Sequence, residues 1–499
     1  MATALRDRLP STRFTRPQNT FILAILVVGV VIRFFQLGRE SLWFDESLSV
    51  LFASQPLPIS MRSMLQEGLQ HSPLFYLLLR PFASGTPIES SVRALPAIAG
   101  VLAIPLIAIL GKDLFSPRTG LIAASLLALN PFHAWYSREA RMYSLLALAV
   151  IGAMYFFALI VFREPKLRYY LGMSFFSAIA FSTHHFAFFI PLVQLIFILA
   201  TFKESYPLLR SWAAAIFLAA LTLLPWIMTA LRSGVYWATS GTPTQTARLT
   251  DIPLTLWSFS LGYTRILSLP IALALLLFLA VAFYGLYPSE RSKRLLSIWF
   301  VVPIVTTFLI SLRFAMYMDR YLIVALPAFL LGLAEGLSTI RLSSFRRLAT
   351  ATVFLCEFLS LARVYVDRTI YDRADWRQLG SFLESNVDPF QDTIATLNYQ
   401  DLIPLHFYYH GLAPIQPIVV YTDVRLPDDT QSHRNAAERY FWLVIPHQNH
   451  SNHLVGHCQS FESEPFTSKT DVISWRDRMA PDLISVQQFT CIRLERYAR

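Results

Sequence analysis

Charge is what this sequence lacks most. Only 15% of its 499 residues are Asp, Glu, Lys or Arg, against roughly a quarter in an ordinary soluble domain. That shortage excludes a disordered chain, a coiled coil and a typical cytosolic enzyme. Cysteine is scarcer still. Three residues exclude a disulfide-stapled secreted scaffold and any multi-cysteine zinc or iron–sulfur site. No internal repeat and no low-complexity segment is evident.

In place of charge the chain has apolar side chains, 55% of the total, gathered into runs. Crossing a bilayer takes about 20 apolar residues. Eleven candidates stand out: Phe21–Leu37, Val92–Leu110, Gly120–Trp135, Met142–Phe162, Tyr169–Thr183, His185–Phe202, Ser211–Leu231, Ile266–Tyr287, Leu295–Leu312, Tyr321–Ile340 and Leu348–Val366. The expected class is a polytopic α-helical membrane protein of about 11 transmembrane helices. The first run lacks a small-residue cleavage site, which argues against a signal peptide.

Basic residues in short loops orient the chain. With the N-terminus cytoplasmic, the inner segments hold Arg6, Arg8, Arg13, Arg16, Lys112, Arg118, Arg163, Lys166, Arg168, Lys203, Arg210, Arg291, Lys293, Arg294, Arg341, Arg346 and Arg347. Eleven spans then place the C-terminal tail outside, in a plasma (inner) membrane. The formal net charge of +10 therefore sits mostly in inner loops and speaks against a nucleic-acid partner. The tail, 370–499, holds 11 basic and 16 acidic residues. It alternates expected helices (Trp376–Glu384, Ala436–Arg439) with strand-like runs (Thr393–Leu397, Ile418–Tyr421, Trp442–Ile445, Cys491–Leu494), a small extracytoplasmic α/β domain. The expected division is 1–369 and 370–499. Cys458 and Cys491 lie on the oxidising side, where a disulfide and two unpaired thiols are both open readings.

Long loops between spans are not needed for anchoring, so their content is informative. The first external loop, 38–91, places Asp45 and Glu46 just beyond the first span, between Trp43-Phe44 and Ser47. The pair reads either as a general base with a metal-binding or hydrogen-bonding neighbour or as the acidic first turn of a helix. His71 is a ligand, proton shuttle or cap. The following run, with Tyr76 and Arg80, fits an interfacial helix with the tyrosine at headgroup level. The second external loop carries Arg138, Glu139, Arg141 and Tyr143. On a helix the arginines would share one face and Glu139 and Tyr143 another, a phosphate or diphosphate site or a surface ion pair. Thr183-His184-His185-Phe186 forms a tight external turn, and Arg320 in Asp319-Arg320-Tyr321 is a further phosphate candidate or a headgroup anchor. Glu335 and Glu357 lie inside spans, where ionisable groups are expensive; Glu335 is expected to snorkel or pair with Arg341. His447, His450, His453 and His457 have helical spacing for a metal but no accompanying carboxylate, and a solvated face is preferred.

Taken in order, these segments resemble a family. The Asp45-Glu46 pair after the first span is followed by His71-Ser-Pro-Leu-Phe-Tyr76 and by Arg93-Ala-Leu-Pro96. Ser137-Arg-Glu-Ala-Arg-Met-Tyr-Ser-Leu145, Thr183-His184 and Arg320-Tyr-Leu322 complete the series. The combination resembles the bacterial GT-C glycosyltransferases, in the branch of protein O-mannosyltransferases and aminoarabinose transferases, over about 20–366. Asp375-Trp376-Arg377 is similar to the start of external domains in such proteins. The resemblance implies sugar transfer from a polyprenyl-phosphate carrier on the outer face, with membrane lipids around it and Asp45 as catalytic base. Glu46 stands beside that base and Glu139 stands where a second acidic residue is often found. His71, Tyr76, Arg138, Arg141, Tyr143, His184 and Arg320 would hold the donor. Ser72 and His185 depart from the family's usual proline and tyrosine. The sugar, the acceptor and the need for a divalent metal are left open, and no metal-ligand set is assigned. A transporter would show broken midplane helices and inverted repeats, whereas here the charges lie in external loops; an inactive scaffold with a partner-binding tail is the other rival.

Overall fold

In lipid every backbone group must find its partner within the segment, so apolar runs become helices. The computed structural model describes residues 13–66, 72–201, 205–232, 246–263, 268–314, 316–366, 373–420, 423–424, 440–446 and 483–498. Among the described residues, seven helical segments are long and apolar enough to cross a membrane: Arg16–Phe34, Ile88–Leu114, Tyr143–Phe162, Tyr206–Met228, Leu269–Leu286, Arg291–Ser311 and Ser343–Val366. Pro117–Leu129, His185–Ala200 and Leu326–Thr339 are shorter apolar helical stretches, and Leu167–Phe181 is a fifteen-residue helix. Each of the eleven expected runs is thus helical, though four are shorter than a full span. Proline explains two of the shortened ones. Asn130-Pro131 stops one helix and starts the next. Pro327 sits at the start of Leu326–Thr339, which leaves Tyr321–Val324 as a separate 3₁₀ turn.

The chain forms two compact units. The first, Met1–Leu37 with Phe52–Val364, is the helical bundle. Tyr143–Phe162 is buried along most of its length, as expected of a helix apolar all round. Arg16–Phe34 instead exposes Phe21, Leu23, Val27 and Val31. Leu269–Leu286 and Leu326–Thr339 approach so closely that a Cβ on Gly285 would lie 1.9 Å from the Gly332 carbonyl oxygen, the small-residue packing that membrane helices use in place of a hydrophobic drive. Thr119 Oγ1 donates to Glu335 Oε2 at 2.9 Å, and Lys293 Nζ lies 3.8 Å from Oε1. The expected partner of Glu335, Arg341, is replaced by that lysine.

The second unit is Gly38–Leu51 with Tyr365–Arg499. It contains a six-stranded sheet of β1 (Asp392–Asn398), β2 (Ile415–Val420), β3 (Asp423–Val424), β4 (Tyr440–Pro446), β5 (Leu483–Phe489) and β6 (Ile492–Ala498). The order is β3-β2-β1-β4-β6-β5. β1 runs parallel to β2 and β4, with Ile394 opposite Ile415 and Trp442; β6 is antiparallel to β4 and β5. Trp376, Leu379, Leu383, Leu405, Trp442 and Ile492 form part of the core on which the helices Trp376–Asn386 and Tyr399–Tyr408 pack. The expected α/β tail is therefore present. The two compact units divide at 364/365, and 38–51 groups with the tail. Hydrogen bonds explain this grouping: Leu42 N donates to Tyr408 Oη at 2.8 Å, and Ser41 Oγ to Asp375 Oδ1 at 3.2 Å. Tyr399–Tyr408 and β5 went unread because Pro404 interrupts the first and β5 is exposed at most positions. Cys491 is disulfide-bonded and Cys356 is free. Cys458, Ala436–Arg439 and the four tail histidines lie outside the described residues.

Candidate functional site

In the bundle, the site is built around residues 130–143. Asn130 caps the short helix Pro131–Tyr136, its Oδ1 accepting from His133 N at 2.9 Å, while its Nδ2 donates to the Phe259 carbonyl at 2.8 Å and to Glu357 Oε1 at 3.4 Å. Glu357, which the sequence left without an account, is thus a buried partner of that cap. Phe259 belongs to the helix Asp251–Leu261, inside a stretch read as a loop. Gly262 ends that helix at φ +61° and ψ −147°, a conformation reserved for glycine, and a Cβ there would meet Pro131 at 3.0 Å.

Two arginines clasp helix ends reciprocally. Arg33, wholly buried in the last turn of Arg16–Phe34, donates to the carbonyls of Leu127 (3.0 Å) and Ala128 (3.2 Å) and reaches His133 Nδ1 at 2.9 Å. Arg138 in turn donates to the carbonyls of Ile32 (3.0 Å), Phe35 (2.6 Å) and Gln36 (3.3 Å) at the end of that first helix. Cations suit the negative end of a helix. Residues 137–142 are a bend, not a helix, so Arg138 and Arg141 do not share a face: Arg138 is a helix cap, whereas Arg141 Nη1 lies 3.4 Å from Tyr76 Oη. Arg33→Leu is expected to lower the thermal unfolding temperature of the detergent-solubilised protein, since it orphans buried carbonyls at about 1–3 kcal/mol. Arg138→Leu, at a half-buried position, should lower it less.

Three of the residues singled out in the sequence, Tyr143, His184 and Arg320, come together here and are buried; Glu139, also buried, is near enough for its charge to act on Tyr136. Arg320 stands over the rings of Tyr143 (5.8 Å) and Tyr321 (5.5 Å). Tyr143 also meets Tyr136 edge-on at 5.0 Å and His184 at 6.1 Å. His184 accepts from Phe186 N through Nδ1 at 3.1 Å and stacks on His185 at 4.3 Å. Tyr76, expected at headgroup level, is buried between Phe52 and Phe75, because its helix Pro73–Leu79 turns that ring inward. Arg80 likewise donates to the Gln55 carbonyl at 2.8 Å. His71 lies outside the described residues.

Sequence reasoning missed the support beneath this cluster. Asp319 accepts from Ser258 Oγ (2.9 Å) and Tyr263 Oη (3.2 Å), and Tyr263 is bonded to Tyr136. Since the Tyr263 proton goes to Asp319, Tyr136 is the donor to Tyr263. Burial, then the charges of Asp319 and Glu139, push the Tyr136 phenol well above its ordinary range, against the opposing Arg320, so it stays neutral. Asp319-Arg320 adjoining a span was the available signal.

The second unit holds the acidic pair. Phe44–Ser54 is helical with Asp45 and Glu46 in its first turn, so the dipole reading is satisfied structurally. The two carboxylates differ in surroundings. Glu46 is fully buried and paired with Arg373 Nη1 at 2.8 Å, and the same guanidinium lies 5.2 Å from the Trp43 ring. Asp45 is half-buried, and its main-chain carbonyl accepts from Ser49 Oγ at 2.8 Å. Of the pair, Asp45 is thus the more exposed carboxylate, and Glu46 is the buried, ion-paired one. Among the described residues, no group of three His, Cys, Asp or Glu side chains is placed to hold a metal ion.

A family model described as dolichyl-phosphate-mannose-protein mannosyltransferase matches residues 70–229, which include most of the bundle cluster. No curated protein matches the chain significantly. Among solved structures, ArnT from Cupriavidus metallidurans bound to undecaprenyl phosphate is similar at 14% identity and TM-score 0.58, over 96% of this chain and 97% of that one. The Archaeoglobus fulgidus oligosaccharyltransferase tethered to an acceptor peptide is similar at 14% identity and TM-score 0.52, over 86% and 69%. The mycobacterial arabinofuranosyltransferase AftD gives 14% and 0.52 over 97% and 42%. At such identities the likeness is one of fold: this chain has the GT-C membrane fold that its sequence resembles, and is a multi-pass membrane protein.

Proposed function

We propose that this chain is an integral membrane glycosyltransferase moving a sugar from a polyprenyl-phosphate donor to an acceptor hydroxyl on the outer face of the membrane. The observation that carries the reading is the buried Arg320 guanidinium over the Tyr143 ring, which also meets His184, in a fold similar to that of ArnT, whose structure holds undecaprenyl phosphate; Arg141, likewise buried, precedes Tyr143 by two residues. Buried cations beside aromatic rings suit a phosphate brought in on a lipid. The N-terminus is cytoplasmic in this reading and the tail extracytoplasmic, as the basic inner loops indicate.

The chemistry is a single inverting displacement. The acceptor oxygen forms a bond to the anomeric carbon as the bond from that carbon to the phosphate oxygen breaks, and the electron pair leaves on the phosphate. Asp45 takes the hydroxyl proton. The lipid phosphate is already a good leaving group and needs charge stabilisation rather than an acid, which Arg141 and Arg320 supply. A glycosidase, by contrast, needs two opposed carboxylates. Glu139 helps to orient the donor, and the Tyr143 and His184 rings give the sugar or prenyl chain an aromatic wall.

The test is kinetic. Arg141→Gln and Arg320→Gln should each reduce kcat/KM for a polyprenyl-phosphate sugar by about a hundredfold, as removal of one charge-stabilising donor does elsewhere, followed by release of polyprenyl phosphate. Arg138→Gln should cost far less, because its guanidinium caps a helix. Equal losses in all three, or none in the first two, would contradict the assignment.

A further inference from the structure

Arg320 stands at the end of a stretch with little backbone order of its own. Residues 316–320 form neither helix nor strand, and a 3₁₀ turn begins only at Tyr321. Side chains anchor this stretch instead. Tyr317 Oη lies 2.9 Å from Thr255 Oγ1, and Asp319 Oδ2 accepts from Ser258 Oγ at 2.9 Å. Thr255 and Ser258 are three residues apart on the helix Asp251–Leu261, so they share a face. All four side chains are buried. The other carboxylate oxygen, Asp319 Oδ1, accepts from Tyr263 Oη at 3.2 Å. Gly262, at its positive φ, turns the chain from that helix into Tyr263, and Tyr263 in turn is bonded to Tyr136.

We propose that Asp319 is a positioning residue for sugar transfer, setting the Arg320 guanidinium over the Tyr143 ring from both sides of that contact. This rests on the transferase reading, in which Arg320 meets the donor phosphate. On one side, the carboxylate ties the main chain that carries the arginine to Ser258. On the other it holds Tyr263, and through it Tyr136, whose ring meets Tyr143 edge-on at 5.0 Å. Arg320 over Tyr143 at 5.8 Å closes the circuit. A carboxylate suits the place because each of its oxygens accepts, whereas an amide has one acceptor oxygen and a donor nitrogen. A long arginine side chain has much rotamer freedom to lose. Stabilising a leaving phosphate depends on donors that are already in place when the charge develops. Asp319 thus acts through Arg320 and Tyr143.

A double-mutant cycle tests this, read as polyprenyl phosphate released by the full-length protein in nanodiscs from undecaprenyl-phosphate sugars. Asp319→Asn leaves one acceptor oxygen for two hydroxyl donors, and Tyr263→Phe removes the hydroxyl between Asp319 and Tyr136. Each should lower kcat/KM about tenfold, less than the roughly hundredfold that a misplaced group can cost. In an Arg320→Gln background each should lower it by less than about twofold more, because the effect passes through a guanidinium already gone. Unfolding temperatures identify folded protein, and if Asp319→Asn does not fold, the milder Tyr263→Phe decides. Folded variants of an active wild type that keep its kcat/KM would overturn this inference and leave the transferase reading standing. So would losses that multiply in full with that of Arg320→Gln, the mark of a separate structural role. A wild type inactive on every donor would overturn the transferase reading and this inference with it.

Discussion

Asp45→Asn is expected to fold normally and to lose sugar transfer by about a thousandfold, within the range that a positioned general base contributes. The substitution keeps the side chain's size, and the helix bond at this position comes from the main-chain carbonyl, to which Ser49 donates. The substitution removes the negative charge and with it a carboxylate able to take a proton. The loss should fall on kcat and leave donor KM nearly unchanged, because a base acting only in the transition state does not bind ground-state donor. Glu46→Gln gives the contrast. Glu46 already holds Arg373 in a buried pair, so its replacement should act on stability first. If Glu46→Gln in folded protein abolished transfer while Asp45→Asn did not, the roles would be reversed.

Arg373→Ala is expected to carry the largest stability effect in the second unit. It strands the fully buried Glu46 carboxylate and removes the cation beside Trp43; breaking one side of a buried pair costs about 3–5 kcal/mol. Loss of cooperative thermal unfolding, or a sharp rise in protease cleavage between 365 and 499, would register it. A double variant, Arg373→Met with Glu46→Leu, should recover most of that stability, because an apolar pair fills the same space without a buried charge. Failure of the double variant to recover would mean that the cation–ring contact or the packing, not the ion pair, holds the segment.

The bundle was legible because lipid permits few structures, and each of the eleven apolar runs is helical. Proline placed the interruptions at Asn130-Pro131 and Pro327, and the short helix Asp251–Leu261 escaped because eleven residues with three hydroxyls give no membrane-length signal. In the tail, buried strands such as Tyr440–Pro446 were visible from composition, but the exposed β5 was not. Side-chain roles divided the same way. Tyr143, His184 and Arg320 drew notice because unusual polar residues at span ends stand out, and the structure brings these three side chains together. The helix-end contacts of Arg138 were not legible because its partners are main-chain carbonyls, which leave no trace in sequence. Arg33 and Asp319 were missed for a related reason: each is a single charge whose partners lie about 100 and 60 residues away. The attachment of 38–51 to the tail rests on Ser41, Leu42 and Glu46 meeting partners more than 300 residues on, which no local pattern reports.

The central claim is that this chain cleaves a sugar from a polyprenyl-phosphate carrier. The most direct measurement follows polyprenyl phosphate released from undecaprenyl-phosphate sugars by the purified protein in nanodiscs, beside its Asp45→Asn variant. The account predicts turnover by the wild type on at least one donor and its loss in a variant with unchanged unfolding temperature. A correctly folded wild type that releases nothing from any hexose or pentose donor would contradict it.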